Sequence, residues 1–293
     1  MRFAIIGAAG FVAPRHMRSI VDNGHTIVAA LDPHDSVGVL DTYAPGCAYF
    51  REPERFDRHL DKLRRAGMGV DYVSVCSPNY LHDAHCRLAM RNGADVICEK
   101  PLTLSPWNLD ALAEMERETG RRVWTVLQMR LHPGVASMRK AAQERAMYKG
   151  GEQFASLTYV TPRGPWYGSS WKGDEAKSGG ILANIGIHMF DLLLWVYGPV
   201  NGARLDTYSD TAATGLLSHE SGTTVSWSLA VDGSKPSRVL SDASGACDLS
   251  DGFEDAHTKV YAETLAGRGC GIADARPAVE LVHMLRMKRK AAP

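Results

Sequence analysis

Lys100 and His188 stand out because each sits where a titratable group could be put to work. Lys100 belongs to Cys98-Glu99-Lys100-Pro101, and Ser77-Pro78-Asn79-Tyr80-Leu81-His82 precedes it. Both segments follow apolar runs that read as parallel strands, and in open α/β sheets ligands bind at the carboxyl ends of such strands. Lys100 then points into a crevice, with Pro101 setting the chain direction after it. His188 belongs to Asn184-Ile185-Gly186-Ile187-His188-Met189-Phe190-Asp191, where Asn184, His188 and Asp191 fall at spacings of four and three on one helical stripe. Three polar groups on an otherwise apolar helix must find partners or carry a desolvation cost. A lone core histidine is more often a satisfied structural residue than a catalyst, but the Asn and Asp companions favour a functional stripe.

The start of the chain carries a turn suited to a dinucleotide. Such a site needs glycines where the backbone passes the pyrophosphate, a helix N-terminus facing that charge, and an acid after the next strand for the ribose hydroxyls. Gly7, Gly10 and Asp32 fit those roles, although Gly7-Ala8-Ala9-Gly10-Phe11-Val12-Ala13 departs from the usual glycine spacing. An acid at Asp32 repels a 2′-phosphate, so NAD is expected rather than NADP.

Those residues need a framework. Phe3–Ile6, Thr26–Leu31, Val70–Cys76, Asp95–Cys98 and Arg122–Leu127 read as short buried strands. Helical stretches at Pro14–Asp22, Glu54–Arg65, Leu81–Arg91 and Pro106–Thr119 alternate with them, which predicts a doubly wound parallel sheet. His132–Ala146 reads as a helix and Gly150-Gly151 as a break. Beyond it Phe154–Thr161, Arg204–Tyr208, Ala213–Ser218 and Thr223–Val231 alternate apolar and polar residues, as a largely antiparallel sheet does. Gly180–Tyr197 suits a buried helix, and Asp274–Lys290 a helix with a basic end. The expected fold is therefore α/β plus α+β. A Rossmann domain spans residues 1–127, and a second domain, with a large mostly antiparallel sheet and helices on one face, spans 128–293. The stretch Asp232–Ser250 is weakly patterned, and a strand and loop are expected to be trimmed there.

Lys+Arg and Asp+Glu are each 33, so the formal net charge is zero and neither nucleic acid nor a membrane surface is an expected partner. No secretory signal is visible, and runs such as Leu192–Val196 fall well below the roughly 18 residues a membrane span needs. The 6 cysteines are scattered without a Cys-x-x-Cys pair and read as reduced thiols of a cytoplasmic protein. His82-x-x-His85 has metal-like spacing but no third ligand nearby, so no metal is expected.

With Glu99-Lys100-Pro101, Ser77-Pro78-Asn79-x-x-His82 and Gly179-Gly180-x-x-x-Asn184-x-x-x-His188-x-x-Asp191, nearly the whole chain resembles the Gfo/Idh/MocA oxidoreductase family. Longer strings narrow the likeness. Gly7-Ala8-Ala9-Gly10-Phe11-Val12, Phe56-x-x-His59, Leu127-Gln128-x-x-x-His132-Pro133 and Trp166-Tyr167-x-x-Ser170-Trp171-Lys172-Gly173-Asp174-x-x-Lys177 resemble its UDP-N-acetyl-glucosaminuronate 3-dehydrogenases, the WlbA-like group. The resemblance implies NAD-dependent oxidation of the sugar 3-hydroxyl to a ketone on the way to surface polysaccharide. It also implies recycling of the cofactor by 2-oxoglutarate in some members, and a homotetramer. Lys100 and His188 map to the reacting carbon. The implied cofactor contacts are Gly7, Gly10, Phe11, Val12, Asp32, Ser77, Asn79, His82, Glu99, Lys100, Gln128 and Trp171.

Oxidising a secondary alcohol needs a base for the hydroxyl proton while hydride leaves. A histidine titrates near neutrality as it stands, whereas a lysine has to be depressed by burial or by a neighbouring cation such as His188. His188 is the favoured base and Lys100 the group that orients the hydroxyl, with the reverse assignment open. A substrate carrying a diphosphate and a carboxylate needs several donors, and Arg163, Lys172 and Lys177 supply them beside Trp166, Tyr167 and Trp171, with Asn184 and Asp191 on the helix. Two rival readings stand. One keeps the family but takes another sugar, an inositol or another sugar nucleotide. The other is a non-catalytic NAD-binding regulator.

Overall fold

The computed structural model describes residues 1–147, 152–233, 235–253 and 255–291. The Gly150-Gly151 break lies outside the described residues. Along the first half run β1 (Arg2–Ile6), α1 (Ala13–Asp22), β2 (Thr26–Leu31), α2 (Leu40–Tyr43), β3 (Ala48–Phe50), α3 (Pro53–Arg65), β4 (Tyr72–Val75), α4 (His82–Arg91), β5 (Asp95–Cys98), α5 (Pro106–Thr119) and β6 (Val123–Thr125). Then come α6 (Pro133–Met147), β7 (Gln153–Val160), α7 (Trp166–Ser169), α8 (Glu175–Ser178), α9 (Gly180–Asn184), α10 (Gly186–Tyr197), β8 (Val200–Tyr208), β9 (Ala212–His219) and β10 (Thr223–Ala230). β11 (Ser237–Asp242), β12 (Gly245–Asp248), α11 (Ala256–Leu265), β13 (Cys270–Gly271) and α12 (Ile272–Ala291) complete the chain.

Contacts divide the chain differently from a single cut after residue 127. One compact unit is Met1–Val126 with Asp255–Ala275, and the other is Leu127–Glu254 with Arg276–Pro293. The return of residues 255–275 has a physical reason. Val260 and Tyr261 of α11 are buried in the first unit's core with Phe3, Ile5, Met17 and Ile97, and β13 adds an antiparallel edge beside β6.

The first unit is a seven-stranded sheet in the order β13-β6-β5-β4-β1-β2-β3, parallel from β6 to β3. Strand order reverses between β1 and β4, which opens a crevice at their carboxyl ends. The central strands are continuous buried runs, as strands covered on both faces must be. The helices carry the expected punctuation: proline in the first turn of α1, α3 and α5, a basic last turn on α3, and Gly120 in the left-handed region after α5.

The second unit is a six-stranded sheet in the order β12-β11-β7-β10-β9-β8. All pairs are antiparallel except β7 with β10. Because α7 to α10 and two further strands intervene, β10 returns beside β7 in the same direction. The hairpin β11–β12 occupies the stretch expected to be trimmed, so an edge is present there after all. Polar runs such as Ser237–Asp242 show little alternation because this edge is only half covered.

The span Glu175–Tyr197 is long and apolar enough to cross a membrane by composition, yet 78% of its most apolar window is buried inside the fold. It is broken into α8, α9 and α10, which supply the unit's core. Trp227 of β10 meets Phe190 of α10 edge to face at 5.1 Å. Gly215 of β9 makes room for that indole, because a Cβ there would collide with the Arg204 carbonyl oxygen and lie 2.5 Å from Trp227 Cζ2. Replacing Trp227 by alanine is therefore expected to cost about 3–5 kcal/mol, read as a lower urea midpoint. Gly215→Ala should also destabilise, from overpacking.

Candidate active site

In the first unit, Gly7, Gly10, Asp32, Ser77, Asn79, His82, Glu99 and Lys100 all follow the carboxyl ends of β1, β2, β4 and β5. Gly7 has φ +86°, and a Cβ there would sit 2.6 Å from the Cys76 carbonyl carbon. Only glycine lets β1 turn this close to the end of β4. The Gly7 N–H donates to the Leu31 carbonyl at 2.8 Å, and the Gly10 N–H to the Gly7 carbonyl at 3.0 Å. Asp32 is buried, and its two carboxylate oxygens accept the Ala9 and His34 N–H groups, each at 2.9 Å. One carboxylate thus ties the glycine turn to the end of β2.

α1 starts without a side-chain cap and without an acid in its first turn, so its positive end is left for an external anion. Phe11, at the tip of the turn, is 83% exposed, with the Arg15 guanidinium over its ring at 5.6 Å. A glycine turn that no Cβ can enter, an uncapped helix start and an acid after β2 form a donor set that fits NAD.

The Lys100 turn is held from two sides. Burial alone would push the Glu99 carboxyl up. The N–H groups of His16 Nε2 at 2.9 Å and His257 Nε2 at 3.2 Å, both on Oε1, outweigh burial and hold the carboxyl well below its ordinary value. Glu99 Oε2 accepts the Lys100 N–H at 3.2 Å. Since His16 donates from Nε2, its Nδ1 accepts the Tyr261 hydroxyl at 2.8 Å, and Tyr261 accepts from Ser74 Oγ at 2.6 Å. On the other side, His82 Nδ1 lies 2.7 Å from the Pro101 carbonyl and its Nε2 lies 2.8 Å from the Ser77 carbonyl. The Lys100–Pro101 peptide is cis. Lys100 itself is half-buried.

Glu99 and His82, expected against the cofactor, spend these polar atoms on locking the turn. In His82-x-x-His85, His82 faces two carbonyls and His85 Nδ1 accepts from Ser77 Oγ at 2.8 Å, so these ring nitrogens are engaged within the fold. His16, Glu99 and His257 have metal-like proximity, but their donors and acceptors already match as hydrogen bonds.

In the second unit, Asn184 Nδ2 donates to the Tyr167 hydroxyl at 2.8 Å, so both are buried partners of one another. Asp191, expected to meet substrate, is gripped by Arg130 through Nη2 at 2.6 Å and Nε at 3.0 Å, with its side chain 3% exposed. Of residues 186–193 on α10, only His188 is not fully buried. Gln128 follows the start of this unit in a short turn, Gln128–Leu131, and its Oε1 is buried without a partner in the described structure.

The loop before α10 carries the cations. Lys172 Nζ lies 4.3 Å from the Trp171 ring centroid and 5.8 Å from that of Trp166, which is itself exposed. Arg163 is exposed, and Lys177 pairs with Asp174 at 3.3 Å.

Sequence reasoning passed over His16, Ser74, Arg130, His257 and Tyr261. His16 had a signal: with Ala13, Met17 and Ile20 it falls on the buried stripe of α1. His257 and Tyr261 had none, because α11 was not recognised.

Burial, with the charge of His82 beside it, pushes His85 down to about 4 from 6.5. On acidification the unfolded chain therefore binds this proton first. The associated stability is complete above about pH 6.5 and is lost as pH falls toward 4. His85→Gln should remove about 3 kcal/mol of that acid-dependent loss, measured by urea unfolding at pH 7, 5.5 and 4.

The family model for the oxidoreductase family with an NAD-binding Rossmann fold, Gfo/Idh/MocA, matches residues 1–127, and the Gfo/Idh/MocA C-terminal domain matches residues 152–240. The WlbA (WbpB) dehydrogenase from Thermus thermophilus, solved with NAD and alpha-ketoglutarate, is 43% identical, with a TM-score of 0.92 over 98% of this chain and 94% of that one. The same dehydrogenase solved with NAD and UDP-GlcNAcA has the same identity and coverage and a TM-score of 0.91. The D-glucoside 3-dehydrogenase of Escherichia coli (strain K12) is 30% identical over 44% of this chain and 36% of its own length. The inositol 2-dehydrogenase of Rhizobium meliloti (strain 1021) is 25% identical over 68% of this chain and 55% of its own length. The chain thus spans about a third to a half of these curated relatives.

Proposed function

The chain belongs to the Gfo/Idh/MocA oxidoreductase family, and from that premise we propose that it oxidises the 3-hydroxyl of UDP-N-acetyl-glucosaminuronate to the ketone, with NAD as oxidant. The observation that carries this reading is the 43% identity, extending over 98% of the chain, to a dehydrogenase held with NAD and UDP-GlcNAcA. A second structure of that dehydrogenase with alpha-ketoglutarate supports 2-oxoglutarate as the acceptor that regenerates NAD, its keto carbon taking a hydride and a proton to become the 2-hydroxy acid.

NAD, when bound, supplies the hydride acceptor. The Gly7–Gly10 turn and the uncapped start of α1 would hold its pyrophosphate, and Asp32 would take the adenine ribose hydroxyls and disfavour a 2′-phosphate. His188 takes the hydroxyl proton. It is half-buried on α10, between fully buried neighbours on either side. Lys100 orients the hydroxyl and stabilises the charge that develops on its oxygen, from a turn anchored by Glu99 and His82. Arg163, Lys172 and Lys177 meet the acidic groups of the sugar nucleotide, while Trp166 and Trp171 offer faces for stacking.

Anaerobic mixing with NAD and UDP-N-acetyl-glucosaminuronate should produce the absorbance of reduced nicotinamide, and 2-oxoglutarate added afterwards should remove it. Lys100→Ala and His188→Ala should each keep NAD binding and lose turnover by at least about a hundredfold. Near-normal turnover in both variants would refute the assignment. Reduction of NAD by free glucosides or inositol, with none by the sugar nucleotide, would shift the reading to another member activity.

A further inference from the structure

We propose that His16, His257 and Tyr261 are positioning residues for Lys100, acting through the buried carboxylate of Glu99. The proposal rests on Lys100 being catalytic. Four elements converge on this carboxylate: β5, from whose end it projects, α1 with His16, and α11 with His257 and Tyr261, backed by Ser74 of β4. The partners lie 83 and 158 residues away from Glu99 in sequence, and Tyr261 lies 245 residues from His16. Packing alone does not call for this arrangement. A buried ionised group is costly to desolvate, and apolar side chains of similar volume would fill the same space without that cost.

The geometry divides the two carboxylate oxygens between different tasks. Oε1 accepts both imidazole N–H groups, which fixes the carboxylate plane. Oε2 is then directed at the Lys100 amide, so the plane of the carboxylate sets where the Lys100 backbone lies. Tyr261 donates to His16 Nδ1 and so keeps the proton of that ring on Nε2, facing Glu99. The titratable groups that face Glu99 come from every packed element: His16 of α1, His257 and Tyr261 of α11, Cys76 and Cys98 at the ends of β4 and β5, and His82 of α4, while Arg15 acts on His16 and Lys100 on His82.

Without one imidazole donor the carboxylate is free to rotate, and burial is no longer outweighed. Glu99 then takes a proton closer to neutrality, and in that state its hold on the Lys100 amide weakens. Loss of a donor should therefore appear in turnover and in its pH dependence, with substrate affinity little changed.

The test compares His257→Leu, His257→Gln and Tyr261→Phe with the parent and with Lys100→Ala, measuring kcat, KM and NAD affinity from about pH 5 to 9. For His257→Leu we expect kcat to fall at least about tenfold, KM and NAD affinity to hold within about twofold, and a new acid limb to enter the kcat profile. His257→Gln keeps an N–H donor and should restore most of the turnover and remove that limb. Tyr261→Phe removes one oxygen atom and should show the same limb with a smaller fall. It decides the matter alone if His257→Leu does not fold. Parental kcat and pH profile in the folded variants, with Lys100→Ala inactive, would overturn the positioning role. So would a fall in kcat that glutamine does not rescue and that leaves the pH profile unmoved. Turnover retained in Lys100→Ala would instead remove the catalytic reading on which the proposal stands.

Discussion

A carboxylate held ionised in the interior of the first unit sets terms that the surrounding chain has to meet. Glu99 is cut off from water, and the protein must supply the hydrogen bonds that water would have given. Local sequence supplies one donor, the Lys100 N–H, because β5 ends at Cys98 and the residues beyond it form the Lys100 turn. The side-chain donors come from α1, which precedes it, and from α11, which follows the second sheet. That requirement accounts for the path of the chain, which leaves the parallel sheet after β6, builds another sheet, and returns for α11 and β13 before ending in α12.

The second unit meets the same problem by the same means. Its most apolar helix carries Asn184 just before it and Asp191 within it, and each is matched to one distant side chain, Tyr167 for the amide and Arg130 for the carboxylate. Asp242 at the end of β11 is likewise held by Arg145 of α6 at 2.5 Å and by the Tyr197 hydroxyl at 3.2 Å. A charged bidentate pair repays more of its desolvation than a single bond does, which suits Arg130 to the deeply buried Asp191. Each such match turns a polar group into a fastener. His188 differs from its neighbours on the stripe in burial, being half-buried where they are fully buried.

Local pattern made much of this legible. Continuous apolar strands, glycine turns and amphipathic helices can be read from neighbours in sequence, so β1, β2, β4, β5 and β6 were visible with α1, α3, α4 and α5, as were the four long strands of the second sheet, while the four-residue α2 was not. The motifs around Lys100 and His188 were visible for the same reason. What stayed hidden depended on distance or on brevity. β3 and β13 are too short to carry a period, and β11 and β12 lie at a half-covered edge where alternation is weak. For Asp191 and Glu99, sequence shows a polar group but not the distant partner that holds it. Arg130 and His257 are such partners, 61 and 158 residues away.

The separation between fasteners and exposed groups bears on how such a chain can change its substrate. Alterations around Lys100 disturb a closed set of hydrogen bonds in which each donor already has its acceptor, so single substitutions there leave a buried group unmatched. The loop from Arg163 to Lys177 is held at fewer points. Tyr167 is pinned to Asn184, and Glu175 is paired with Arg289 at 2.6 Å, but Arg163, Trp166 and Lys177 lie at the surface. Side chains of that kind can be exchanged without reopening the core. With the substrate role proposed for this loop, related chains that keep the lysine turn while acting on different sugars should differ mainly here, because it is there that a new contact costs the fold least.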